Sequence, residues 1–217
     1  MDILLNAVEA RVLGCLIEKE RTTPEYYPLT KNSLVTACNQ KSNRDPEMQL
    51  TESMVDAALD SLRYKHKLVA TVTQANSRVL KYKHELLAHF KFDPEDVAVL
   101  CELLLRGPQT AGELRTHTKR MVEIASPAKV KEILDNLMHW GEIAFVAKLP
   151  PARGMREERY AHLFCGETQL DASEVEQPIA DTQVVPDPPV EDPRISALEE
   201  KVADLESRLS ALEQALL

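Results

Sequence analysis

Glycine, aromatic residues and long apolar runs are all scarce in this chain of 217 residues. Six glycines and 5% of aromatic residues argue against an all-β sandwich and against a glycine-looped nucleotide binder. The longest apolar stretch, residues 97–105, is interrupted by Glu102 and falls short of the roughly 20 residues that a membrane span requires. Asp2 stands where a secretion signal would carry a basic residue. We therefore expect a cytoplasmic protein without a membrane segment.

Motifs that carry catalysis or hold a metal are also missing. The sequence contains no G-x-S-x-G, P-loop, dinucleotide fingerprint or H-E-x-x-H motif. Its four cysteines, Cys15, Cys38, Cys101 and Cys165, form no C-x-x-C pair and have no ligand-like spacing with the histidines. We expect buried reduced thiols, no metal or cofactor, and no enzymatic activity.

The net charge of −9 is unevenly distributed. Residues 1–92 hold 13 basic and 11 acidic residues, residues 93–165 hold 10 and 11, and residues 166–217 hold 3 and 13. The acidity therefore belongs to the C-terminal part, and it does not exclude a body that contacts nucleic acid. A basic stretch over residues 63–91 collects seven positive residues against the single acid Glu85. It is either a solvated face or a binding surface for phosphate or an acidic protein.

The first part of the chain has the pattern of three helices and a β-hairpin. Apolar spacing predicts a helix over about residues 6–20, and Thr30 and Thr51 are placed to cap two more helices. β-favouring runs at 69–73 and 79–82 predict the hairpin. The predicted buried face of the third helix consists of Met54, Val55, Ala58, Leu59 and Leu62.

The second part repeats this order. Asp93 is placed to cap a helix, Thr110-Ala-Gly-Glu113 has the spacing of a capping box, and Ser126 precedes a third helix. Strands are predicted at 143–146 and 159–164. Three helices followed by a hairpin describe the winged-helix domain, a variant of the helix-turn-helix. The sequence therefore predicts a mainly α fold of two tandem winged-helix domains, residues 1–92 and 93–165.

Three motifs resemble the YceH-like family of bacterial proteins: Leu16-Ile-Glu-Lys19, Thr23–Thr30 and Asn32–Pro46. The resemblance covers about residues 4–165, and the stretch Asn39–Pro46 is its most specific part. It implies a tandem winged-helix fold and leaves the activity open.

The third helix of such a domain is the one that can enter the DNA major groove. In the first domain its outward positions are Glu52, Asp56 and Asp60, and three carboxylates there would be repelled by phosphate. We therefore place the candidate DNA contacts elsewhere. They are Lys41 and Arg44 in the Asn39–Pro46 loop, Arg63, Lys65 and Lys67 after the third helix, Arg78, Lys81 and Lys83 on the first hairpin, and Arg153 and Arg156 beside the second.

Two functions are consistent with these residues. The first is DNA association, or an activity like that of a transcription regulator, mainly through backbone contacts from the hairpins. The alternative is a protein-interaction adaptor without DNA binding, resembling the winged-helix subunits of bacterial condensin. The acidic third helix favours the adaptor, whereas the basic hairpins favour DNA. The Asn39–Pro46 loop also has a purely structural interpretation, in which it fixes the second helix against the third.

The C-terminal part divides into two segments. Residues 166–193 carry eight acids, no base and five prolines, which predicts a disordered linker. Residues 194–217 have the heptad pattern of a coiled coil, and its β-branched a positions, leucine d positions and flanking charges predict a parallel homodimer. An amphipathic helix that docks on the body is the alternative. The seam consists of Ile195, Leu198, Val202, Leu205, Leu209, Leu212 and Leu216.

Overall fold

A computed structural model describes residues 3–73, 79–151 and 157–166, which all belong to one compact unit, residues 1–176. The described residues form a mixed α/β fold with seven α-helices and two small antiparallel sheets. The predicted coiled-coil seam from Ile195 to Leu216 lies outside the described residues, as do Arg78, Arg153 and Arg156.

The first half of this unit consists of α1 (Ala7–Thr22), β1 (Leu29–Thr30), α2 (Lys31–Cys38), α3 (Glu52–Asp60), β2 (Val69–Val72), β3 (Lys81–His84) and α4 (Leu86–His89). Its strands lie in the order β1-β3-β2, with Leu29 opposite Tyr82 and Ala70 opposite Lys83. Thr30 and Thr51 cap α2 and α3, which confirms both predictions.

The second half repeats the order of the first. Its elements are α5 (Pro94–Arg106), β4 (Gln109–Thr110), α6 (Ala111–Thr118), α7 (Pro127–Met138), β5 (Val146–Leu149) and β6 (Arg159–His162). The sheet has the order β4-β6-β5, and Asp93, Thr110 and Ser126 are the N-cap residues of the three helices, as predicted. The predicted order of three helices followed by two paired strands is therefore found in both halves.

Two predicted strands are displaced along the chain. The strand predicted at 143–146 begins only at Val146, because Ile143 is used in an isolated bridge with Trp140. The strand predicted at 79–82 runs over Lys81–His84 instead. The two-residue strands β1 and β4 were not predicted, since two residues show no alternation and are strands only through pairing with β3 and β6.

The prediction that Met54 is buried was wrong. Its side chain is 43% exposed, whereas Val55, Ala58 and Leu59 face the core. The core-facing stripe of α3 is therefore narrower than the apolar pattern indicated, and Met54 lies on the solvent-exposed surface of the helix.

Helices α1 and α5 form the centre of this unit. Every residue of 9–18 and of 96–105 is buried, so neither helix has a solvent face over this length. They approach closely at Gly14, where an added Cβ would lie 2.9 Å from Cδ2 of Leu105. The two halves therefore share one core. The four cysteines are free and buried, as predicted.

None of the helices in the described ranges has the length and apolar character needed to cross a bilayer.

Candidate nucleic-acid interface

Helix α3 continues directly into a π-helical turn, Ser61–Lys65. The amide of His66 donates to the carbonyl of Ser61 at 3.1 Å, which is the wider hydrogen bond of a π turn. Leu62 stays buried in this turn, while Lys65 is exposed. Such turns occur frequently at functional sites. We call residues 61–67 the basic turn.

The basic turn ends in a strained residue. Lys67 has φ of 58°, in the left-handed region, where a non-glycine residue costs about 1–3 kcal/mol. The neighbouring structure holds it there, because the amide of Leu68 donates to the carbonyl of Leu62 at 2.8 Å and Nε2 of His89 donates to the carbonyl of Lys67 at 2.8 Å. Strain of this kind is concentrated at functional sites.

Tyr64 is the most exposed of the large apolar residues in the basic turn, with 70% of its surface accessible to solvent. The guanidinium carbon of Arg63 lies 4.8 Å from the centroid of its ring, within the range of a cation–π interaction. Arg63 is itself held by Asp60, with Nη1 3.7 Å from Oδ1, and by Thr71, whose Oγ1 accepts from Nη2 at 3.4 Å. One face of the tyrosine ring is thus covered by a fixed cation, and the ring otherwise faces solvent.

The first hairpin starts beside the basic turn. The amide of Glu85 donates to the carbonyl of Leu68 at 2.7 Å, and Nζ of Lys83 lies 2.7 Å from Oε1 of Glu85. Lys81 projects from the same face of β3 as Lys83, opposite Val72. Lys65, Lys67 and Lys81 form no ion pair with any residue in the described ranges. The basic turn and β3 therefore carry three lysines whose charge no described side chain neutralises.

Of the residues predicted from sequence, Arg63, Lys65 and Lys67 lie together in the basic turn. Lys81 and Lys83 lie on the sheet face opposite to Thr71, the hairpin residue that Arg63 contacts. Lys41 is exposed on the separate connection 39–46.

The assignment of Arg44 to a nucleic-acid surface was wrong. Its side chain is 0% exposed, and its Nη2 and Nη1 lie 2.6 and 3.0 Å from the two carboxylate oxygens of Glu18. Its Nε also donates to the carbonyl of Ala37 at 3.2 Å. With its donors satisfied inside the protein, Arg44 has no access to phosphate.

Arg44 belongs to a buried ion-pair network that links the two halves. Arg120 pairs with Glu18 and with Glu102 of α5, where Nη2 lies 2.8 Å from Oε1. Arg106 completes the network, with Nε 3.1 Å from Oε2 of Glu102. These partners were not predicted from the sequence. The one available signal was Glu102, an acid inside an otherwise apolar run.

Burial affects the two glutamates of the network differently. Burial opposes ionisation of Glu18, yet hydrogen bonds and charge from Arg44 and Arg120 outweigh it and lower the pKa of Glu18 to about 2. For Glu102, burial outweighs the attraction of Arg120 and Arg106 and raises its pKa above the ordinary value. Glu18 is therefore a firmly ionised partner for Arg44 at neutral pH.

The rest of the Asn39–Pro46 loop is also held by internal contacts. The side chain of Asn39 donates to the carbonyl of Leu50 at 2.8 Å and accepts from its amide at 2.7 Å. Nη2 of the buried Arg11 donates to the carbonyl of Pro46 at 2.7 Å. These contacts, together with those of Arg44, agree with the structural interpretation of the loop.

The outer face of α3 is acidic, as predicted. Glu52 and Asp60 are exposed, and Asp56 is half-buried. Lys31 of α2 offsets two of them, with Nζ 2.9 Å from Asp56 and 3.8 Å from Glu52, and Arg63 lies 3.7 Å from Asp60. A helix with this surface is poorly suited to a groove lined by phosphate.

The described residues therefore define a mixed α/β protein in which one order of elements occurs twice around a shared core. A family model described as a protein of unknown function, DUF480, matches residues 5–155. The UPF0502 protein GSU0233 of Geobacter sulfurreducens is 52% identical over 212 residues, covering 94% of this chain and 91% of the relative. A UPF0502 protein of Pelobacter propionicus is 48% identical over 220 residues, covering 100% and 96%. The UPF0502 protein VF_A0604 of Aliivibrio fischeri is 45% identical over 217 residues, covering 98% and 96%. The chain belongs to the DUF480, or UPF0502, family.

Proposed function

We propose that this is a non-enzymatic tandem winged-helix protein that associates with nucleic acid through phosphate contacts from the basic turn and the first hairpin. The fold assignment is supported by three helices and a hairpin in each half, with a short third strand completing each sheet. The observation that carries the function is the presence of unneutralised Lys65 and Lys67 in a strained, π-helical turn, with a further unneutralised lysine, Lys81, on the first hairpin. Phosphate contacts of this kind position a protein on nucleic acid without reading its sequence.

The acidic face of α3 decides which contacts are proposed. Glu52 and Asp60 would meet phosphate if α3 entered a groove, so the helix is not used as a base reader. The basic turn follows α3 directly and carries the opposite charge, and it can approach the backbone while α3 stays outside.

Replacing Lys65 by alanine and Lys67 by asparagine should weaken binding to all sequences alike. Asparagine is chosen at position 67 because it tolerates the left-handed backbone. The slope of the logarithm of affinity against the logarithm of salt concentration should become shallower by up to about 0.9 per lost phosphate contact. Gel shifts on mixed genomic fragments between about 50 and 150 mM salt measure both effects.

A control with the same loss of charge is the double variant Lys119→Ala and Lys131→Ala, because both lysines are exposed and lie outside the basic turn. It should retain the affinity and the salt slope of the unmodified chain. Equal losses in the two double variants would show that binding follows net charge, and would remove the basic turn as the interface.

The adaptor is the second candidate, and one observation favours it. The outer face of α3 carries Glu52, Asp56 and Asp60, and a face with three carboxylates suits a basic protein partner. If the intact protein binds no nucleic acid at about 50 mM salt, where phosphate contacts are strong, this candidate replaces the first.

We also propose that the protein is a parallel homodimer through the coiled coil of residues 194–217. The arrangement predicts that Val202→Cys, an a position, cross-links readily on oxidation in a chain whose native cysteines have been replaced. Non-reducing gel electrophoresis measures the cross-link, and analytical ultracentrifugation measures the dimer. A chain cut near Asp192 should be monomeric. A dimer that survives the cut would place the interface in the body, and an intact dimer that does not cross-link would exclude the parallel arrangement.

A further inference from the structure

We infer that the nucleic acid at the basic turn is single-stranded, and that Tyr64 is the residue on which one of its bases stacks. The inference rests on the proposed function, which it narrows from nucleic acid in general to one class. It is carried by the exposure of Tyr64, the cation fixed beneath its ring, and the lysines beside it.

The tyrosine ring is already arranged for stacking. Tyr64 is 70% exposed, so its ring is not required to fill the core. Arg63 lies 4.8 Å from the ring centroid and is anchored by Asp60 and Thr71, which restrains the ring from one side. A base that stacks on the ring therefore meets a partner that is largely fixed beforehand, with a guanidinium behind it.

Positive charge lies close to the ring in the sequence. Lys65 and Lys67 follow Tyr64 within three residues, are exposed, and have no ion-pair partner among the residues of known structure. Proteins that bind single strands without sequence preference combine such cations, which follow the backbone, with aromatic rings on which bases stack. The left-handed backbone of Lys67 and the π turn before it fix this local arrangement.

A single strand and a duplex differ in whether their bases are available to the tyrosine ring. In a duplex the bases already stack on one another, so an exposed tyrosine gains a base only if the stack is opened, at a cost. The acidic face of α3 also keeps the adjoining helix out of a groove. A single strand presents unstacked bases, so no stack has to be opened. Its backbone is flexible, and it offers no groove that α3 would have to enter.

The test compares two tyrosines of equal exposure in the full-length protein. Tyr64→Ala should reduce the affinity for a fluorescein-labelled oligothymidine of about 20 nucleotides by about five- to a hundredfold, measured by fluorescence anisotropy. Tyr64→Phe should retain the affinity, because the ring is kept. The matched control is Tyr26→Ala, since Tyr26 is 71% exposed on the turn Pro24–Tyr26, where its neighbour is Glu25 rather than a lysine. It should leave binding unchanged.

A duplex of the same length and the lysine variants distinguish the possible outcomes. We expect weaker binding to the duplex, little effect of Tyr64→Ala on it, and an unchanged salt slope for that variant, because no phosphate contact is lost. Equal effects of Tyr64→Ala and Tyr26→Ala, with the lysine variant still impaired, would overturn the stacking role and leave the proposed function standing. Tighter binding to the duplex would overturn the single-strand inference. Absence of binding to either oligonucleotide at about 50 mM salt would overturn both.

Discussion

Replacing Arg44 by alanine should lower the free energy of unfolding by about 3–5 kcal/mol, the typical cost of removing one partner from a buried ion pair. The side chain of Arg44 is 0% exposed and holds both carboxylate oxygens of Glu18. Without it, Glu18 keeps only Arg120 and the more distant Lys19 to offset a buried charge. Urea denaturation followed by circular dichroism measures the loss.

Two further variants make this result specific. Lys41→Ala removes a cation from the same loop at an exposed position, and should change the stability by no more than about 0.5 kcal/mol. Arg44→Lys keeps the charge without the bidentate geometry, so its loss should be intermediate and it provides a folded variant if alanine prevents folding. A loss for Arg44→Ala as small as that of Lys41→Ala would contradict the structural role of the network.

Gly14→Val should destabilise the protein by about 1–3 kcal/mol or more through overpacking between α1 and α5. The Cβ of any side chain at this position meets Cγ of Leu105 at 3.1 Å and Cβ of Leu104 at 3.2 Å, and valine adds two further methyl groups. Because the two halves share this contact, the effect should appear as a lower midpoint of the whole urea transition.

The control for this variant is a glycine in another helix. Gly112 of α6 is exposed, and the nearest atom to an added Cβ there is 3.9 Å away. Gly112→Ala should raise the stability by about 0.5–1 kcal/mol, because alanine restricts the unfolded chain and favours the helix. Equal stability of Gly14→Val and the unmodified chain would show that α1 and α5 do not approach as closely as described.

The buried network also bears on function. Glu18 and Arg44 lie in the first half, Glu102 and Arg106 in α5, and Arg120 reaches both glutamates. The Asn39–Pro46 loop, the most specific part of the family resemblance, therefore connects the two halves. The basic turn lies at the other end of α3 and is not part of this network.

Local signals in the sequence determined much of the secondary structure. Thr30, Thr51, Thr110 and Ser126 were identified as helix caps because a capping side chain bonds to backbone amides two or three residues ahead. The acidic face of α3 was also predictable, because helical periodicity fixes which positions share a face.

Only the tertiary structure decided the features that depend on distant partners. Strands β1 and β4 exist through pairing with residues about 50 positions away, such as Tyr82 opposite Leu29 and Tyr160 opposite Gln109. The sequence predicts that Arg44 is a surface cation, because its buried partner Glu18 lies 26 residues earlier in the chain. The sequence alone showed that residues 63–91 are basic. The π turn, the left-handed Lys67 and the fixed ring of Tyr64 depend on packing between separate segments, which residue types and spacing do not encode.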